Sequence, residues 1–317
     1  MDDFRILTDS TSDLSQQMVD ELDVTVIPMD FTIGSDAFKD YPDDRSISAH
    51  AFYTRIAAGE PSSVVTFTET FEPFLKEGKD VLYLAFSSGL SGTYNNSVVA
   101  AQQLSQKYPD RKIYTVDTRA ASLGEGLLVW YAVQMKRAGR SIDEVRDWEE
   151  RSRCRMHHWF TVNDLNHLKR GGRISGASAL VGSVLGIKPV LHFDDEGHIR
   201  LVDKIRGRRQ SLDDMVRHME RTAEDPQKQM IFISDGDSPE AAEYVKEKVA
   251  EKFGVERFGK ASIGPVIGAH TGTGTIALFY LGKDREYEQT ESARTARRGG
   301  VSPQAPTEPV SARRRER

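Results

Sequence analysis

The most constraining feature of the sequence is a near-continuous apolar run, VLYLAF at residues 81–86, followed at once by the polar stretch SSGLSGTYNN. A strand that is apolar on both faces is typical of a parallel sheet with helices on both sides. The chain up to residue 155 alternates β-prone segments with helical ones, and such βα repeats predict a parallel sheet. After the apolar run we expect a helix over residues 91–106.

Beyond residue 155 the pattern changes. KPVLHF and IRLVDKIR are joined by the turn DDEGH, which predicts a β-hairpin, and helical segments then alternate with MIFIS, GKASI and TIALFYL. Hairpins mixed with helices predict a second α/β domain with a mixed sheet. We place the domains at residues 1–155 and 156–283. Residues 284–317 hold few apolar side chains, so we predict a disordered C-terminal tail there.

Composition limits the functional classes. A formal net charge of -5 argues against a dedicated nucleic-acid binder, which usually carries a basic excess. The single cysteine, Cys154, cannot form an internal disulfide and favours a reducing compartment. The start MDDFRILTDS does not fit a signal peptide, and no run approaches the roughly 18 apolar residues of a membrane span. These features predict a soluble, cytoplasmic chain without stable membrane insertion.

The stretch SSGLSGTYNN has two interpretations that the local sequence leaves open. Ser91 caps the following helix, or it belongs to an anion site where free N–H groups at the helix start meet serine hydroxyls. A third interpretation makes Ser91 the nucleophile of a serine hydrolase. The α/β-hydrolase elbow requires Gly-x-Ser-x-Gly, but here Gly92 comes one position too early, which counts against it.

A second glycine-rich turn, AHTGTG, contains His270, which either binds an anionic ligand or bonds to its own turn. GVERFGKA approaches a phosphate loop but ends in Ala261, which has no hydroxyl for magnesium, and its interior is bulky. No dinucleotide or zinc motif occurs, and His157 and His158, adjacent on a predicted strand, face opposite ways. We therefore expect no metal and no cofactor.

Two clusters of basic residues stand out, KRGGR at residues 169–173 and KIRGRRQS at residues 204–211. Each is either a solvated face or a surface that docks an acidic or phosphate-bearing partner, for which arginine is well suited.

Seven motifs in order resemble the DegV family over residues 4–282. They are ILTDSTSDL, SSGLSGTY, VDTRAASLGEG, LNHLKRGGRISGA, IKPVL, KIRGRR and GPVIGAHTGTG. The resemblance implies an N-terminal α/β/α sandwich with a parallel sheet and a C-terminal α/β domain with a mixed sheet. It also implies a long-chain fatty acid bound between the domains. Such proteins present the acyl carboxylate to a separate ATP-binding fatty acid kinase subunit, whose acyl phosphate product feeds phospholipid synthesis; the binding protein itself is not an enzyme.

The resemblance also assigns roles to residues. Ser91 matches the serine expected to hold the carboxylate, Ser88 is its neighbour, and His270 matches the histidine beside the carboxylate. The basic segment with Arg206, Arg208 and Arg209 matches one that meets the kinase subunit, so these arginines are predicted to dock the partner.

One segment departs from the family pattern. Where the family has Thr-Ser-Gln-Pro, this chain has PSSVVTF, so Ser62 replaces the threonine and Ser63 matches the serine. Both are predicted to contribute hydroxyls to the carboxylate. Val64 and Val65 stand in place of Gln and Pro, which changes the shape of this loop.

Two other functions compete with fatty-acid presentation. A stand-alone regulatory module that senses a lipid or small anion needs the same pocket but supports no acyl phosphate formation. A serine hydrolase using Ser91 predicts covalent labelling of that residue by a fluorophosphonate.

Overall fold

The computed structural model describes residues 3–33, 36–57, 68–174 and 186–285. Its strands are β1 Phe4–Asp9, β2 Thr25–Ile27, β3 Met29–Ile33, β4 Asp36–Asp40, β5 Asp80–Ala85, β6 Ile113–Asp117, β7 Met156–Thr161, β8 Ile187–Phe193, β9 Ile199–Arg206, β10 Ile231–Asp235, β11 Phe258–Ser262 and β12 Ile276–Leu281. Its α-helices are α1 Gln16–Leu22, α2 Ala49–Ala57, α3 Thr68–Lys76, α4 Thr93–Lys107, α5 Leu123–Arg137, α6 Ile142–Ser152, α7 Asn166–Arg170, α8 Arg208–Thr222, α9 Pro239–Phe253 and α10 Pro265–Thr271.

The first half of the chain forms a parallel sheet in the order β2-β1-β5-β6. The apolar run is its strand β5, which is buried along its whole length between β1 and β6. Because all four strands are parallel, the loops after β1, β5 and β6 leave the same edge of the sheet. That edge is where open α/β sheets bind ligands.

The second half forms a mixed sheet in the order β11-β10-β12-β7-β8-β9. Only β10 and β11 are parallel to each other; the other neighbours are antiparallel. The predicted hairpin is β8–β9, whose turn places Gly197 at a φ of 80°. The predicted fold class, a parallel-sheet α/β half followed by a mixed-sheet half, is confirmed.

Helix α5 joins the two sheets, since it packs against β1 and β5 on one side and β7, β10 and β12 on the other. Its first seven residues are all buried; six are apolar or glycine, and the other is Glu125. The larger hydrophobic core therefore runs from the parallel sheet into the mixed sheet without a break. A second, smaller core lies under α8 and α9. The parallel sheet ends with β6 at Asp117 and the mixed sheet begins with β7 at Met156, but the two halves share one core.

Several local predictions need correction. Helix α4 begins at Thr93, with Gly92 as its N-cap, and ends at Lys107 instead of running over 91–106. The β-prone segment VTVIPMDFTI is divided at Pro28 into β2, which joins the parallel sheet, and β3, which forms a separate ribbon with β4. Proline cannot donate a ladder hydrogen bond, so a strand break there is expected.

The C-terminal boundary also changes. Asp284 and Arg285 belong to the folded part, so the tail predicted to begin at residue 284 starts too early. The side chain of Arg285 is fully buried and donates to backbone carbonyls from three separate segments, those of Arg119, Cys154 and Asp194. An arginine ordered by so many carbonyl acceptors cannot be recognised from a polar sequence context. Residues 286–317 lie outside the described residues.

Candidate functional site

A cavity of about 290 Å³ lies between the ligand-binding edge of the parallel sheet, helix α10 and one face of the mixed sheet. Both halves of the chain contribute to its wall, which is mainly apolar, with side chains that include Phe86, Leu90, Phe160, Phe193, Ile267 and Phe279. A mainly apolar cavity that also carries some polar side chains is typical of a site for a small, largely apolar molecule.

Several polar side chains also line the cavity, and four of them lie close together. Ser91, Thr93, Arg173 and His270 all line it, and the Nε of Arg173 donates to the carbonyl of Leu90 at 3.1 Å, next to Ser91. Two residues that are far apart in sequence, Ser91 and His270, are thus brought to the same cavity, as predicted from the two glycine-rich stretches. We call these four residues the polar end of the cavity.

Ser91 lies just before α4. Its Oγ accepts from the backbone N–H of Thr93 at 3.3 Å and pairs with the Thr93 hydroxyl at 2.9 Å. Ser91 is therefore part of the turn that starts the helix and is also a wall residue, so the cap and site interpretations both hold in part. Neither contact is to a histidine or a carboxylate, and this arrangement does not activate a serine as a nucleophile.

His270 lies in the last turn of α10, not in a loop as the glycine-rich sequence indicates. Its ring packs against Gly171, where an added methyl carbon would come within 2.1 Å of Nδ1. That Nδ1 is buried and has no hydrogen-bond partner among the described residues. Burial, and then the charges of Arg173 and His167, lower the pKa of His270 to about 4, so the ring is neutral near pH 7.

Arg173 was not predicted as a site residue. Its guanidinium donates to the carbonyl of Gly171 as well as to Leu90, and partial burial lowers its pKa from the usual value while leaving it cationic. The signal in the sequence was the basic cluster KRGGR, but the spacing alone did not indicate which of its arginines turns inward.

The remaining predicted serines do not join the polar end. The hydroxyl of Ser88 is exposed and donates to Asp117 Oδ2 at 2.6 Å, and Ser88 does not line the cavity. Ser62 and Ser63 lie outside the described residues, as do Val64 and Val65.

Gly89 has a different role from the one expected for a glycine beside a ligand. A methyl carbon added there would lie 2.7 Å from the carbonyl oxygen of Glu196, in the β8–β9 turn. The neighbouring Ser87 donates to the carbonyl of Gly197 at 2.9 Å. The stretch SSGLSG therefore holds the hairpin of the mixed sheet against the parallel sheet, and the flanking Phe193 and Ile199 complete the cavity wall.

The three arginines predicted to dock a partner fall into two groups. Arg206 and Arg209 are exposed, and Arg209 lies over the ring of Tyr244 with 4.7 Å to its centroid. Arg208 is half-buried and donates to the carbonyl of Gly274, four residues after His270. Arg208 is thus packed against the loop that follows α10, while the other two face solvent.

Four buried carboxyl groups lie beside the cavity wall, and none of them was predicted as a site residue. They belong to Asp9, Asp13, Asp40 and Glu125, and burial raises the pKa of each; the pKa of Asp40 rises to about 7. Asp13 accepts from the backbone N–H of Gly264 at 2.8 Å, and Asp40 accepts from that of Val266. These two carboxyls therefore hold the start of α10, the helix that carries His270.

The two adjacent histidines face opposite sides, as predicted. His158 lines the cavity, stacks on Phe193 with 4.5 Å between ring centroids, and bonds through Nδ1 to the carbonyl of Met156. His157 turns away and pairs with His192 at 3.0 Å.

In the part of the chain that the structure describes, no helix is long and apolar enough to cross a membrane.

Comparison with known proteins gives a consistent result. A family profile described as "Uncharacterised protein, DegV family" matches residues 3–283. A DegV domain-containing protein from Clostridium perfringens is 44% identical over 291 residues, covering 90% of this chain and 100% of the relative.

Solved structures show the same fold. A fatty-acid-binding DegV family protein from Thermus thermophilus has a TM-score of 0.78 at 30% identity and covers 88% of this chain and 99% of its own. A fatty acid binding DegV family protein from Streptococcus agalactiae has a TM-score of 0.75 at 28% identity and covers 90% and 100%. Together with the family match and the site geometry, these likenesses show that the chain belongs to the DegV family.

Proposed function

We propose that this chain binds a long-chain fatty acid in the cavity, with the acyl chain against the apolar wall and the carboxylate at the polar end. We further propose that it presents the carboxylate to a separate ATP-dependent kinase subunit in the cytoplasm, where the acyl phosphate enters phospholipid synthesis. The observation that carries the proposal is a mainly apolar cavity lined by Ser91, Arg173 and His270, with Arg173 bonded to the carbonyls of Leu90 and Gly171 between them. The fatty-acid binding of the similar Thermus thermophilus and Streptococcus agalactiae proteins supports it.

The polar end suits a carboxylate. Removing a carboxylate from water is costly unless donors replace its hydration, and a guanidinium supplies strong charge-assisted hydrogen bonds. The N-terminus of the 15-residue helix α4 adds a favourable potential beside Ser91. By resemblance, Ser62 and Ser63 would add hydroxyls from a segment outside the described residues; Ser88, which faces away from the cavity, has no part in the proposal.

Presentation requires the carboxylate to stay nucleophilic. In the transfer, a carboxylate oxygen forms a bond to the terminal phosphorus of ATP, the bond from that phosphorus to the bridging oxygen breaks, and ADP leaves. No residue of this chain is covalently modified. Because His270 is neutral, it can donate a hydrogen bond to one carboxylate oxygen without adding a second full positive charge to that of Arg173.

The first test compares Ser91→Ala with Ser88→Ala, the same substitution inside and outside the cavity. Losing a hydrogen bond to a charged group costs about 1.5–3 kcal/mol, so Ser91→Ala should weaken palmitate binding about tenfold or more. Ser88→Ala should bind like the wild type. Displacement of a fluorescent fatty acid measures both, and native mass spectrometry of the purified protein should show a bound fatty acid.

A wild-type protein with no affinity for palmitate or oleate would disprove the binding role. Adding ATP and a candidate kinase subunit to the loaded protein tests presentation. Acyl phosphate formation that needs this chain supports the proposal. Binding without any such support would instead favour the regulatory, lipid-sensing function.

A further inference from the structure

A basic corner lies beside the polar end of the cavity, formed by Asn163, Lys188, Arg208 and the loop of residues 272–275. Lys188 Nζ donates to the backbone and side-chain oxygens of Asn163 at 3.1 and 3.2 Å. Asn163 in turn donates to the carbonyl of Thr273 at 2.9 Å, and Arg208 donates to that of Gly274. Three separate segments thus bring two cations to one short loop, Arg208 directly and Lys188 through Asn163.

Neither cation has a counter-ion among the residues that the structure describes. Lys188 and Arg208 are half-buried and make no ion pair there, and Arg208 Nη1 is buried without a hydrogen-bond partner. The negative charge of Asp164 acts on the pKa of Lys188, but the Asp164 carboxylate already accepts a hydrogen bond from the backbone N–H of Asn166 at 2.8 Å. Two partly desolvated cations side by side destabilise each other unless an anion joins them.

Local charge around the corner also favours an anion. Helix α8, which begins at Arg208, has 15 residues, no side-chain N-cap and no acidic residue in its first turn. Its N-terminal N–H groups add to the positive potential that the two side chains create.

The corner adjoins the place where the carboxylate is proposed to lie. The loop of residues 272–275 follows directly on His270 and Thr271, and Thr271 and Thr275 at its two sides line the cavity. An anion at the corner would therefore lie against the same short loop whose two ends line the cavity.

We propose that Lys188 and Arg208 form a subsite for a phosphoryl group, next to the carboxylate end of the cavity. The inference rests on the proposed function and adds to it the group that is transferred. A phosphoryl dianion offers several oxygens to two cations, whereas the single fatty-acid carboxylate is already accounted for by Arg173, Ser91 and His270. The phosphoryl group is carried either by the acyl phosphate that this chain holds or by a nucleotide brought by the partner.

The experiment measures the affinity of the full chain for palmitic acid and for hexadecylphosphonic acid, which carries a phosphonate in place of the carboxylate. The variants are Lys188→Gln, Arg208→Gln and the double variant, with Arg208→Lys as the charge-conserving form. Lys204→Gln is the matched control, because Lys204 is an exposed lysine on the neighbouring strand β9. Circular dichroism and thermal unfolding establish that each variant is folded.

We expect the double variant to lose about tenfold or more in phosphonate affinity and to keep its palmitate affinity. Arg208→Lys should retain most of the phosphonate affinity, and Lys204→Gln should match the wild type. If the variants leave phosphonate binding unchanged but weaken binding of ATP added alone, the phosphoryl group comes from a nucleotide.

Unchanged affinity for both phosphonate and ATP would overturn the subsite, and so would an equal loss with Lys204→Gln, which would indicate only a general charge effect. An equal loss of palmitate affinity would assign the two cations to the carboxylate instead. If the wild-type protein binds neither palmitate nor the phosphonate, the proposed fatty-acid binding is itself disproved. That outcome is distinguishable from failure of the phosphoryl subsite, in which the wild type still binds palmitate.

Discussion

Asp40 makes stability depend on pH in a direction opposite to that of most carboxyl groups. Asp40 is the last residue of β4, and its side chain is almost fully buried against the start of α10. Burial raises its pKa from 3.8 to about 7. A raised carboxyl pKa means that the folded state binds the proton more tightly, so the contribution to stability is fully present below pH 3.8 and is lost as pH rises to about 7. We predict that Asp40→Asn removes this dependence.

Linkage gives the magnitude. With pKa values of 3.8 unfolded and about 7 folded, ionisation of Asp40 costs roughly 2 kcal/mol at pH 5 and roughly 4 kcal/mol at pH 8. Between pH 5 and pH 8, the free energy of unfolding of Asp40→Asn should therefore increase by about 2–3 kcal/mol relative to that of the wild type. The asparagine Oδ1 can still accept from Val266, so the difference between the two pH values isolates the charge.

Urea unfolding at several pH values between 5 and 8 measures the effect. Asp110→Asn, an exposed aspartate in the turn before β6, is the control and should run parallel to the wild type. If the curves of Asp40→Asn and the wild type also stay parallel over this range, Asp40 is not the group that titrates there and the reasoning fails.

Three further outcomes are expected. Gly171→Ala should weaken palmitate binding about tenfold, because the added methyl group displaces His270. Gly92→Ala is the control and should have little effect, since no atom lies within 4 Å of the added carbon. Equal palmitate affinities of the two variants would contradict this prediction. Glu149→Met should stabilise the protein by about 1–3 kcal/mol in urea unfolding at pH 7, because both oxygens of this fully buried carboxyl lack hydrogen-bond partners among the described residues. A less stable variant would show that the carboxyl group has a structural role. Arg173→Gln should raise the pKa of His270 above about 4, as followed by NMR titration, and an unchanged pKa would show that the charge of Arg173 does not contribute to the shift.

The architecture was predictable where it depends on local pattern. The apolar run at residues 81–86 became the buried strand β5, and DDEGH became the β8–β9 turn, because burial on two faces and tight turns both leave short-range signals. The start of α4 was missed by two residues, since serine and glycine both fit the start of a helix and only the backbone geometry selects Gly92.

The site was less predictable because its contacts join distant segments. The hydroxyl of Thr8 donates to Glu125 across 117 positions, and no spacing rule indicates that such carboxyls will be buried together. Arg173 and Arg208 belong to basic clusters whose inward members depend on the packing of other elements. Gly89 illustrates the same limit, because its need for space comes from a turn more than 100 positions later.

Arg285 has a consequence for the order in which the protein is made. Its guanidinium donates hydrogen bonds to backbone carbonyls in the β6–α5 loop, in the segment before β7 and in the β8–β9 turn. In the same way, the Asp13 carboxylate accepts a hydrogen bond from the backbone N–H of Gly264, 251 positions later in the chain. Until Gly264 and Arg285 have been synthesised, these acceptors lack the donors that join them to the later segments. The first half can form its sheet early, but we expect the cavity between the two sheets to be completed only after translation has passed Arg285.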